Sequence, residues 1–260
     1  MSCSVRFASH GVRVAVTSDS AAMLDAALPF LPPLRTPLAE HDVQRTFHLS
    51  SAPQADDKIR FTLHAGETTL AAAPVLAPVL RALEWQVSLL VAEQAHDRIF
   101  VHAGVVEWKG KALVVPGRSF SGKSTLVAQL VRAGCAYLSD EYAILDSSGT
   151  CHAHPRSLAL RVPGGFEKRT AEELGGRTRR DPLPVGAVVV TRYHEGATWR
   201  PLRLSSGQAA IALLQHTVVA RARAQEALAV LTTSTANVEA LEGVRGDAVQ
   251  LVRALLSSPS

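Results

Sequence analysis

Cysteine is scarce: the 260 residues carry three, Cys3, Cys135 and Cys151, with no close pair and no C-x-x-C spacing. An odd, sparse count suits a reducing compartment and excludes a disulfide framework. Cys135, in apolar surroundings, is expected as a small core residue. Aromatics are few as well, seven Phe, three Tyr and three Trp. None interleaves with a Lys/Arg block, so no nucleic-acid surface is expected. The net charge of +4 and the pI near 9.2 are spread along the chain and suit an anionic ligand. Long hydrophobic runs are missing too: the longest, residues 70–80, is broken by Pro74 and Pro78 and is too short to cross a bilayer. Residues 1–14 lack the basic start and apolar stretch of a signal peptide. No membrane association is expected, and the expected location is cytoplasmic.

What is present is an ordinary core-forming composition, 47% hydrophobic and 19% charged. Residues 1–75 read as a small N-terminal α/β region: a strand at 12–16, a helix at 21–30 with Ser20 before it, and strands at 43–50 and 59–64. From residue 76 a second, larger α/β domain runs to 260. It opens with a helix at 78–94, where Val79, Leu83, Val87, Leu90 and Val91 form one apolar face. Strands are expected at 99–101 and 105–108 around His102-Ala103-Gly104, and another at 111–115 after the turn Lys109-Gly110.

That last strand feeds Gly117-Arg118-Ser119-Phe120-Ser121-Gly122-Lys123-Ser124-Thr125, the G-x-x-x-x-G-K-S pattern of a P-loop, or Walker A motif. Glycines let successive backbone N–H groups converge on one anion at the positive end of the following helix. Lys123 would reach the β- and γ-phosphates and the Ser124 hydroxyl would meet Mg²⁺. The helix, residues 124–132, closes at Gly134, a C-terminal glycine cap.

The neighbourhood narrows the chemistry. A short strand at 136–138 ends at Ser139-Asp140-Glu141, and the carboxyl ends of adjacent strands converge on a ligand crevice. Carboxylates there can hold Mg²⁺ or accept a proton from an attacking hydroxyl. His102 lies one hairpin upstream of the loop and can return to its mouth.

Residues 102–145 resemble the HPr kinase/phosphorylase family, whose fold is of the phosphoenolpyruvate carboxykinase type. The resemblance consists of His102-Ala-Gly-Val-Val, the strand and P-loop, the glycine-closed helix, and Ser139-Asp140-Glu141. It implies a mixed-sheet kinase core and an ATP- and Mg²⁺-dependent transfer of the γ-phosphoryl group to a hydroxyl. The family's active-site histidine falls on His102, its lysine on Lys123, and its metal hydroxyl on Ser124, with Asp140 beside the metal. The acidic pair falls on Asp140 and Glu141, where the family usually has two aspartates; either residue can be the base.

Downstream the chain departs from the family's carboxylate and C-terminal signatures. His154-Pro155-Arg156-Ser157-Leu158, then Arg161, looks like shorter relatives found beside genes for modified peptides, some of which phosphorylate a serine of a precursor peptide. That comparison gives Arg156 or Arg161 the task of steadying the transferred phosphoryl group. The acceptor it implies is a serine of a peptide or protein. A small-molecule kinase of the same fold and a regulatory NTPase stay open, and a homo-oligomer is compatible with each.

Further on, a hairpin is expected over 142–145 and 150–153, and a strand at 158–162. Residues 163–184 read as a long irregular basic loop, able to close over phosphates or to sit as a solvated surface. A buried strand at 185–192, its partner at 199–204, a helix at 208–215 capped by Ser205 or Ser206, helix over 218–231, a strand at 238–241 and a helix at 248–256 capped by Asp247 complete the chain.

Overall fold

The computed structural model describes residues 3–39, 42–53, 59–118 and 121–257. The chain forms two compact units, Met1–His96 and Asp97–Ser260.

The first unit is a six-stranded sheet. Strands β1 (Cys3–Ser9) and β2 (Val12–Ser18) make a hairpin, and helix α1 (Ala21–Ala27) follows. Strands β3 (Thr36–Pro37), β4 (Arg45–Pro53), β5 (Ile59–Ala65) and β6 (Thr68–Ala73) complete the order β3-β1-β2-β4-β5-β6. Helix α2 (Leu76–Gln94) packs on this sheet, against β2, β5 and β6. It therefore belongs to the first unit, and the division falls 21 residues beyond the boundary read after residue 75. Ser20 stands at the N-cap of α1 but makes no side-chain capping bond.

The second unit is built on β7 (Ile99–Trp108), β8 (Lys111–Pro116), α3 (Lys123–Arg132), β9 (Ala136–Ser139), β10 (Tyr142–Leu145), β11 (Thr150–His152), β12 (Leu158–Val162) and β13 (Gly165–Arg169). It continues with β14 (Leu183–Tyr193), β15 (Leu202–Arg203), α4 (Ser206–Leu214), α5 (Ala224–Thr235), β16 (Glu239–Arg245) and α6 (Ala248–Leu256). Its main sheet has the order β11-β10-β7-β8-β14-β16-β15, with β9 also on β7. Because β11 pairs with β14 as well, β11-β10-β7-β8-β14 close into a ring. Strands β8, β14 and β16 are parallel, while β7 and β10 run antiparallel to their neighbours, so the sheet is mixed.

Side-chain alternation along a strand explains the layering. On β8, Ala112 and Val114 join α4 and α5 residues such as Leu213 and Leu231 in one core. Leu113 and Val115 face the other way, toward Leu126 and Leu130 of α3 and Leu251 and Leu255 of α6. Strands buried on both faces need continuous apolar sequence, which is why β8 and β14 were readable.

Several local expectations change. The two strands expected around His102-Ala103-Gly104 are one unbroken strand, β7. Residues 163–184 are only partly irregular: residues 170–182 hold no named strand or helix, and most of them are exposed. Hairpin β12–β13 occupies their start, and Tyr137 of β9 exchanges backbone hydrogen bonds with Arg177 and Arg179. Both arginine side chains pair with Glu107, near the end of β7 remote from His102, which holds this charge away from the phosphate loop. The strand expected at 199–204 shrinks to β15 and pairs with β16 instead of β14. Helix α5 starts six residues later than expected, because Thr217 bridges to Val101 and turns follow. Ser205 caps α4 in a capping box with Gln208, and Asp247 caps α6 through the Val249 N–H.

One turn gives a stability prediction. Asp146 Oδ1 accepts the N–H groups of Ser148 (2.9 Å) and Thr150 (3.1 Å), and Oδ2 lies 2.7 Å from His152 Nε2. Desolvation raises the carboxyl pKa, but the Ser148 hydroxyl, His152 and the turn amides outweigh it and pull the value down to about 2. A carboxyl depressed in the folded state stabilises above its unfolded pKa of about 3.9 and loses that contribution as pH falls through the folded value. Asp146→Ala should lower stability at pH 7 by about 1–3 kcal/mol. In urea titrations the gap to the parent protein should narrow as the pH falls from about 4 toward 2.

Candidate active site

The phosphate loop leaves β8 at Pro116 and is tied at once to the neighbouring strand, since the Gly117 N–H donates to the His102 carbonyl (3.1 Å). Gly117 has no room for a side chain: a Cβ would lie 2.7 Å from Ser121 Oγ and 3.3 Å from the Lys123 methylenes. Gly122, at φ +84°, turns the chain into α3 in the left-handed region that favours glycine. The first-turn amides of α3 lack intrahelical partners, which makes this helix start favourable to an anion. Lys123 Nζ donates to the Arg118 carbonyl (2.8 Å). Burial lowers the Lys123 pKa, and the Asp140 charge works against that shift. Ser119 and Phe120 lie outside the described residues; Arg118, Ser121, Ser124 and Thr125 complete the described loop and helix start.

The acidic pair is displayed by a break in a strand. Strands β9 and β10 both pair with β7. Between them the buried Ser139 hydroxyl accepts the N–H groups of Glu141 (3.2 Å) and Tyr142 (3.1 Å), diverting the chain from the ladder. Asp140 and Glu141 emerge opposite Ala103 and Gly104, and the Ala103 N–H donates to the Glu141 carbonyl (3.3 Å). Gly104 makes the approach of α3 possible, because a Cβ there would collide with Val127 Cγ2 and lie 3.7 Å from Asp140 Oδ1.

The two carboxylates face different partners. Asp140 accepts a hydrogen bond from Ser124 and feels the Lys123 charge, yet desolvation outweighs both and raises its pKa to about 6. Its Oδ1 is buried with no hydrogen-bond partner among the described residues. Glu141 Oε2 lies 3.2 Å from Arg156 Nε and 3.7 Å from His154 Nε2. Desolvation pushes the Glu141 carboxyl up, but the hydrogen bond and charge of His154, then Arg156 and His102, hold it below its ordinary value. Arg156 is fixed in turn, its carbonyl accepting the Tyr137 hydroxyl at 2.6 Å.

His102 sits at the mouth. Its ring lies 4.8 Å from that of Tyr142, which meets the His154 ring edge-on at 5.8 Å. Burial lowers the His102 pKa, Glu141 opposes this, and Lys123 adds to it. His216 was not singled out from the sequence. Its carbonyl accepts the His102 N–H (2.8 Å), and burial and then the charges of Lys123, Arg118 and His102 lower its pKa. The structure thus gathers His102, Lys123, Ser124, Asp140, Glu141 and Arg156, and adds His154 and His216. Arg161 stands exposed on β12 opposite Phe166.

Among the described residues no group of three or more His, Cys, Asp or Glu side chains could hold a metal by itself. Ser124 and the orphaned oxygen of Asp140 fit a hard divalent ion whose other ligands are phosphate oxygens and water, the habit of Mg²⁺. The site is a glycine-bounded loop and helix start faced by two unlike carboxylates, in a mixed α/β fold.

No protein-family model matches the chain, and no curated protein matches it. Among solved structures, it is similar to the Hpr(Ser) kinase/phosphatase from Coxiella burnetii, with a TM-score of 0.36 and 11% identity over 60% of this chain and 92% of that chain. The likeness is weak, and the functional reading rests on the side chains around the loop. No described helix is long and apolar enough to cross a membrane.

Proposed function

We propose that the protein is a P-loop phosphotransferase that moves the γ-phosphoryl group of ATP to a hydroxyl, with a serine of a peptide or protein as acceptor. The observation that carries this reading is the meeting of Lys123 and Ser124 with Asp140 across Gly104, where Asp140 keeps one buried oxygen unused. A loop that only grips phosphate has no use for a desolvated carboxylate at that point.

The residues divide the work. The amides at the start of α3 and Lys123 hold the β- and γ-phosphates. Ser124 and Asp140 would hold Mg²⁺, which supplies charge neutralisation on the phosphates. Glu141, kept ionised by His154 and Arg156, lies beside His102 and takes the proton of the attacking hydroxyl. The acceptor oxygen bonds to the γ-phosphorus as the β–γ bridging bond breaks, ADP leaves, and His102 and Arg156 steady the transferred group.

Titration of Mg·ATP into the protein tests the donor half. The parent should bind, and Lys123→Ala should weaken binding by roughly 100-fold, as expected for a lost charge-assisted contact in a water-poor site. Failure of the parent to bind Mg·ATP overturns the proposal. The acceptor half is read by intact mass: serine-bearing peptides incubated with Mg·ATP should gain about 80 Da, one phosphoryl group. Phosphate release with every acceptor unlabelled would make the chain a hydrolase instead.

A further inference from the structure

Strands β14 and β16 run on past the level at which β8 gives way to the loop. Val188 pairs with Val114, which sets Val190 beside Pro116, and β14 continues to Tyr193 in register with Arg245 of β16. Three further residues at ~3.3 Å each make an overhang of about 10 Å. It stands on the flank of β8 away from β7, and so away from Asp140, Glu141 and His102.

Arg245 and Tyr193 occupy this overhang. Arg245 is 3% exposed. Its Nη2 donates to the Gly122 carbonyl (2.9 Å) and its Nη1 to the Gly246 carbonyl (3.1 Å). The guanidinium fills the space that a Cβ on Gly122 would need, 2.5 Å from Nη2. The same guanidinium lies 5.5 Å from the centre of the Tyr193 ring. Arg245 is thus wedged between the last glycine of the loop and an aromatic ring. Tyr193, in contrast, is 59% exposed. The backbone behind it is firm, with the His194 N–H on the Arg245 carbonyl (2.9 Å) and the Ala197 N–H on that of His194 (3.2 Å).

We infer that Tyr193 is the platform on which the base of the nucleoside triphosphate stacks, with Arg245 bracing both the ring and the loop. This rests on the phosphotransferase reading, and it adds where the non-reacting end of the donor goes. With the γ-phosphate at the Asp140 flank of the loop, the α-phosphate and ribose extend toward the opposite flank. There the crevice outside the carboxyl ends of β8, β14 and β16 receives them. An exposed aromatic face set on a rigid strand end is what a flat base requires, and every base offers a π-face to it. Such a residue contributes affinity for the base and none for the phosphates alone.

Calorimetric titration with two ligands, Mg·ATP and Mg·tripolyphosphate, separates these contributions. Tyr193→Ala should weaken ATP about tenfold, the usual scale for one lost base–aromatic stack, and leave tripolyphosphate unchanged. Tyr193→Phe and Tyr193→Trp should keep the parent's affinity for ATP. Unchanged ATP affinity in Tyr193→Ala, or an equal loss for both ligands, overturns the platform while leaving the phosphotransferase intact. A parent protein that binds neither ligand removes both readings together.

Discussion

Asp140→Asn should cut phosphoryl transfer by a factor of roughly 100–1,000 and, in the metal-free protein, raise stability at neutral pH. The two effects have one origin. Asp140 is desolvated, one of its oxygens has no partner among the described residues, and its pKa is raised to about 6. A carboxyl whose folded pKa lies above its unfolded value costs stability as pH rises from about 4 to 6, and the full cost persists above that. Asparagine keeps an acceptor for Ser124 and removes the charge, so thermal unfolding at pH 7.5 should show a gain of about 1–2 kcal/mol that vanishes near pH 4. Glu141→Gln should also slow transfer but with the opposite sign in stability, since Arg156 and His154 lose the charge they face. If both variants lost stability alike, the division of labour between the carboxylates would be wrong.

Gly104→Ala should destabilise the second unit by about 1–3 kcal/mol, the range for overpacking a close-packed core. The added methyl would enter Val127, a fully buried residue of α3, and α3 carries Lys123 and Ser124 on its first turn. Relief by moving the helix therefore shifts the phosphate site relative to Asp140, and activity should fall with stability. Val127→Ala vacates the space the methyl needs. The double variant should recover part of both losses, and a coupling of about 0.5–3 kcal/mol in urea titrations would measure the contact. Strict additivity would mean that the clash is absorbed elsewhere.

How far these features were legible follows from what each depends on. The P-loop, its strand and its helix depend on neighbours in sequence, and strands buried on both faces leave unbroken apolar runs. The nearness of Asp140, Glu141 and His102 to that loop was legible through their spacing from it. Gly104 was not legible as part of a strand, because its cause is Val127, on another element. His216 and Arg245 carry no local mark. They reach the site through pairings such as Val101 with Thr217 and Arg245 with Gly122, between residues far apart in the chain. Strands β1 and β6 escaped because edge and half-exposed strands dilute the apolar pattern. The arrangement over 163–184 depends on Glu107 and Tyr137, which no reading of that segment alone could supply.

The bond from Arg245 to Gly122 spans 123 residues. Synthesis at about 5–20 residues per second puts about 6–25 s between the two. The loop is thus made early and braced late, after β14 has joined β8 and β16 has joined β14. A growing chain that already displays G-x-x-x-x-G-K-S has no finished phosphate cradle. On the proposed function, ATP would acquire its full grip only when β16 docks, and its binding would then favour the completed sheet over its partly paired predecessors. The donor nucleotide would act on this chain first as a folding ligand, and only afterwards as a substrate.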